Sequence, residues 1–141
     1  MTLREFLHRL VVLVAGLAAA LAIPAQAQEF QPYPSPRVTT EQWQTYLAAV
    51  HLALERTMQI YDDEHIVVFS NAETRTFYIF TSKEHAAHPA WITRQLVDEG
   101  GQVNVRQIGY FAGEEEPFAQ FFQFYLEKNR KLREDVERRN Q

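Results

Sequence analysis

The side chains in this sequence that could carry chemistry are five histidines and a short acidic run. His85-Ala86-Ala87-His88 sets two imidazoles three residues apart, beside Glu84. On a helical turn such a pair converges on one metal, and imidazole suits Zn or Cu. Two ligands are half a site. A third would come from His51, His65 or the run Asp62-Asp63-Glu64. The plainer expectation is a loop pair in which His88 merely precedes Pro89, and one sequence alone favours it. His51 and Glu55 stand four apart, a spacing open to acid–base work. It equally describes a surface helix pair worth about 0.2–0.5 kcal/mol. No nucleophile accompanies them. The chain has no cysteine, no G-x-S-x-G turn, no phosphate-binding glycine loop and no H-E-x-x-H helix. A small hydrolase with a dispersed site drawn from His51, Asp62, His65, His85 and His88 stays behind a non-catalytic binding module as the expected function.

Aromatic residues supply the second kind of candidate. Phe69, Phe77, Tyr78, Phe80, Phe118, Phe121, Phe122, Phe124 and Tyr125 read mostly as core. Phe124 lies off the stripe of its neighbours on a helical wheel, so it makes a second contact or is exposed. Phe118, Phe122, Tyr125, Asn129, Leu132 and Val136 recur at steps of three and four, a heptad seam with one polar member. A helix over 114–139 runs roughly 39 Å at about 1.5 Å per residue. A domain of this size spans about 34 Å, so the helix overhangs it. Leu132 and Val136, together with Phe124, are therefore the expected contacts for a protein partner or a second copy of the chain, with Asn129 setting register.

The elements that position these residues follow from local pattern. Thr39-Thr40-Glu41-Gln42 predicts a capping box, followed by an apolar stripe at Trp43, Tyr46, Leu47, Val50, Leu54, Met58 and Tyr61. A helix from Thr39 to near Tyr61 results. The β-branched and aromatic runs 66–69 and 76–81 predict a hairpin turning at Ser70-Asn71-Ala72-Glu73. Both strands are apolar at consecutive positions, so both faces are covered or one binds a ligand. Residues 90–97 fit a helix behind Pro89 or a strand. The Gly100-Gly101 pair favours a second hairpin with the alternating run from Gln102. The expected fold is α+β: a two-layer, four-stranded antiparallel sheet of two hairpins, with an N-terminal and a long C-terminal helix on one face.

Composition bounds the function. Residues 1–27 read as a cleavable signal peptide: Arg4 and Arg9, a 14-residue apolar run from Leu10 to Ile23, then Ala25-Gln26-Ala27. The apolar run is shorter than the ~20 residues that span a bilayer, so no membrane span is expected after cleavage. The expected address is the periplasm or the extracellular medium. Residues 28–38, with Pro32, Pro34 and Pro36, read as an extended tether, and residues 39–141 as one domain. Of 14 basic and 18 acidic residues, Arg4, Arg9 and Glu5 fall in the signal, leaving 12 and 17 and a net charge of −5. That balance excludes general nucleic-acid binding. Without cysteine, stability must come from packing. The expectation is thus an exported, non-catalytic module for a protein or apolar ligand. A metal-binding protein using His85 and His88 is the first alternative.

Overall fold

The computed structural model describes residues 30–141. The expected signal peptide lies outside them. The elements are α1 (Thr40–Leu54), a 3-10 turn (Glu55–Thr57), β1 (Gln59–Tyr61), a second 3-10 turn (Asp62–Glu64), β2 (Ile66–Asn71), β3 (Thr76–Thr81), β4 (Ala90–Glu99), β5 (Gln102–Phe111) and α2 (Glu115–Arg139). The strands form one antiparallel meander in the order β1-β2-β3-β4-β5.

The capping box at α1 forms as the sequence predicts. Gln42 N–H donates to Thr39 Oγ1 at 3.0 Å, and Thr39 N–H donates to Gln42 Oε1 at 2.9 Å. The helix stops earlier than expected. Met58 and Tyr61 continue its spacing, yet the chain leaves the helix at Leu54 and returns as a fifth strand. Thr57 is the pivot: its hydroxyl donates to Leu54 O at 2.8 Å and accepts from Ser70 N–H at 3.0 Å. Those bonds tie the helix end to β2, and Gln59–Tyr61 pairs along the edge that β2 would otherwise leave open. The sheet therefore has five strands, not four.

The first hairpin turns two residues later than predicted. Asn71 Oδ1 accepts from Glu73 N–H and Thr74 N–H, an Asx turn, and Arg75 takes φ 52°. The second hairpin matches its prediction. Gly100 and Gly101 have φ +62° and +83° between Glu99 and its partner Gln102, a two-residue turn open to glycine.

The two helices sit on opposite faces of the sheet, which corrects the single-face expectation. Trp43, Tyr46 and Val50 of α1 pack with Phe69, Tyr78, Phe80, Trp91 and Tyr110. Phe118, Phe121 and Tyr125 of α2 pack with Ile66, Ile79, Ile92 and Phe111. The two sets have opposite parity along each strand, as a pleated sheet requires. Strands apolar at consecutive positions need cover on both sides, and one helix on each side supplies it. The α1 face is a stack of rings: Trp91 lies 4.6 Å from Tyr46 and 4.7 Å from Tyr110 between centroids.

Residues 30–38, part of the expected tether, lie against the domain and bend at residues 33–36. Val38 N–H donates to Phe111 O and Phe111 N–H to Pro36 O, both at 2.9 Å. Tyr33 meets Tyr46, Trp91 and Tyr110 edge-on.

Candidate functional site

The paired histidines part company. His85 turns to the α2 face, where its ring lies 4.6 Å from Phe121 and its Nδ1 accepts from Ala87 N–H at 3.0 Å. Burial lowers its pKa, with the nearby charges of His65 and His88 acting in the same direction. His88 turns to the α1 face. Its ring sits 4.9 Å from Trp43, and its Nδ1 lies 2.9 Å from Thr81 Oγ1. His51 rests 5.7 Å from Phe69 on the exposed side of α1. His65 occupies a left-handed position after the exposed 3-10 turn of Asp62–Glu64. Among the described residues, no group of three or more His, Cys, Asp or Glu could hold a metal.

A different constellation lies under the distal half of α2. Strand register places Phe77 opposite Arg94 and Arg94 opposite Gln107, with Leu96 opposite Val105 in an adjoining row. All point to the α2 side, since Ile79 and Ile92 of the same parity belong to that face. Leu132 lies across from them, and the open groove between has a volume of about 420 Å³. Phe77 and Leu132 are 40% and 39% exposed and form the mouth, while Leu96 and Val105 are half-buried and form the floor.

One cation stands in this apolar groove. Arg94 Nε and Nη2 both donate to Asn129 Oδ1, at 2.8 and 2.5 Å. Asn129 Nδ2 donates to Gln107 Oε1 at 2.7 Å, and Gln107 Nε2 donates to Phe122 O at 2.9 Å. The guanidinium also lies 5.2 Å from the Tyr125 ring centroid. Among the described residues no carboxylate pairs with Arg94; the ion pairs there belong to Arg130 and Arg138 on the exposed side of α2. Burial lowers the Arg94 pKa, and the Tyr125 hydroxyl opposes that shift. Burial likewise pushes the Tyr125 phenol up to about 12, with Glu64 adding to the rise.

Two other cavities are less equipped. One of about 350 Å³ runs between residues 31–36 and β5, lined by Tyr33, Pro36, Ile108, Tyr110 and Phe118 and by no charged side chain. One of about 250 Å³ holds Glu64, Ile66, His85, Phe121, Phe124 and Tyr125.

The contacts expected of α2 divide. Asn129 is buried against the sheet by the Arg94 and Gln107 bonds, so its polar place in the seam is met within the chain. Leu132 lines the groove. Phe124 is 51% exposed under Lys128 Nζ, 4.8 Å from its centroid, and Val136 is half-buried. Sequence reasoning passed over Arg94, Leu96, Val105 and Phe77 as a site. The available signal was Ile92-Thr93-Arg94-Gln95-Leu96, a charge on the apolar parity of a strand. No protein-family model, no curated protein and no solved structure matches the chain.

Proposed function

We propose that the chain is an exported, non-catalytic module that binds an apolar ligand in the groove formed by Phe77, Leu96, Val105 and Leu132. The observation that carries this is an apolar space of about 420 Å³ with one oriented polar group, Arg94. Ligand sites have this makeup: concave, of roughly 300–1,000 Å³, with few polar groups among apolar walls. Export rests on the signal-like residues 1–27.

The test is a titration of the exported form with a neutral naphthylamine fluorophore, followed by emission. Leu132→Asp places a charge at the mouth, at a position exposed enough to keep the fold. Saturable binding lost at least about tenfold in Leu132→Asp supports the function, since an apolar ligand entering there must strip water from the new carboxylate. Equal binding by both proteins, or none, rejects it.

A second function has one observation behind it. No residue of α2 beyond Asn129 is buried, yet Leu132 and Val136 continue its apolar line. A second copy could cover that stretch. Analytical ultracentrifugation decides: a dimer dissociated by Val136→Asp supports it, and a monomer at high micromolar concentration rejects it.

A further inference from the structure

The geometry points to a single-chain carboxylate amphiphile as the ligand of the groove, its headgroup on Arg94 and its chain between Leu96, Val105 and Leu132. This assignment rests on the groove being a ligand site and adds the ligand's chemistry.

Arg94 is a half-buried cation whose only hydrogen-bond partner among the described residues is a neutral amide oxygen. Burying a charge without a counter-charge is costly. The Asn129–Gln107–Phe122 relay orients the guanidinium without neutralising it. Nε and one N–H of Nη2 are committed to Asn129, which leaves the Nη1–Nη2 edge. Two parallel N–H groups on one guanidinium edge match the two oxygens of a carboxylate.

The charge count selects among anions. One guanidinium balances one negative charge. A carboxylate brings one, whereas a phosphate monoester brings about 1.5 to 2 at neutral pH and leaves the excess in an apolar space. The walls select the remainder. Beside Arg94 every lining side chain of the groove is apolar, so the body of the ligand is hydrocarbon. The exposed pair Phe77 and Leu132 gives the chain its way in.

The experiment is calorimetric titration of the exported protein with octanoate, 1-octanol and octyl phosphate, below their aggregation concentrations, in wild type, Arg94→Gln and Arg94→Lys. Wild type binds octanoate at least about tenfold tighter than 1-octanol, as a desolvated charge-assisted pair provides. Arg94→Gln brings the two within about twofold of each other by weakening octanoate alone, and Arg94→Lys keeps part of the preference as a point charge. Equal binding of octanoate and 1-octanol to wild type overturns the carboxylate assignment while the apolar groove stands. Tighter binding of octyl phosphate also overturns it. Binding of none of the three overturns both the assignment and the proposed function. Should Arg94→Gln fail to fold, the wild-type ratio alone decides.

Discussion

Asn129 shows how one side chain can hold a site in place. It accepts two bonds from Arg94 and donates one to Gln107, so it joins α2 to β4 and β5 at one point. Asn129→Ala leaves the half-buried Arg94 guanidinium without its hydrogen-bond acceptor and Gln107 Oε1 without its donor. It should destabilise the chain by about 1–3 kcal/mol in urea unfolding. Removing the cation as well, in Asn129→Leu/Arg94→Met, should restore part of that loss, because no buried charge is then stranded. His85 gives a pH-dependent counterpart. Its folded pKa lies below the ordinary value of 6.5 because the ring is half-buried against Phe121. The unfolded chain therefore takes up the proton first. Stability is full above the unfolded value and declines as pH falls through 6.5 and then through the lower folded value. Unfolding midpoints at pH 7.5 and 5 should show the decline, and His85→Gln should make it shallower. The spacing of His85 and His88 suggested convergence, but convergence requires a helical turn. The chain there reverses between β3 and β4, and the rings reach opposite faces of the sheet.

At the scale of elements, the approach of α2 to β5 depends on a missing side chain. A Cβ on Gly109 would lie 2.7 Å from Phe118 Cζ and 2.9 Å from Phe122 Cδ2. Both rings are themselves packed, Phe118 in a stack 4.5 Å from Phe111. Gly109→Ala should push the helix from the sheet and cost roughly 1–3 kcal/mol, read as a lower urea midpoint. Other junctions were legible without structure. The α1 start was written in Thr39 and Gln42, and the β4–β5 turn in Gly100-Gly101. The α1 end was not. Met58 and Tyr61 fall on helical spacing by coincidence, and the bond from Ser70 N–H to Thr57 that ends the helix joins residues 13 apart. Consecutive apolar positions in β2 and β3 did signal two covered faces. Which helix covers which face depends on packing across the sheet, and no local window records that.

Across the described residues the molecule is a five-stranded antiparallel sheet between α1 and α2, and the two faces of the sheet differ. The α1 face carries an aromatic core centred on Trp91, which has no exposed surface. The α2 face is packed where Phe118 stacks on Phe111 and opens toward Leu132, where the helix passes beyond its last buried residue, Asn129. A helix of 25 residues, about 37 Å long, reaches farther than the apolar cover it supplies. The groove lies in that difference, and its residues come from β3, β4, β5 and α2. That is why the sequence carried only one local sign of it, Arg94 on the apolar parity of β4. Among the described residues no helix is long and apolar enough to cross a membrane. The most direct measurement is an NMR map of methyl and aromatic shifts as the chain is titrated with 1-octanol, a neutral probe that needs no contact with Arg94. Ligand binding in the groove predicts shifts gathered on Phe77, Leu96, Val105 and Leu132, with the Trp91 and Tyr46 rings unmoved. Shifts gathered on Phe124 and His85, shifts gathered on Tyr33 and Ile108, or no saturable shift at all would contradict it.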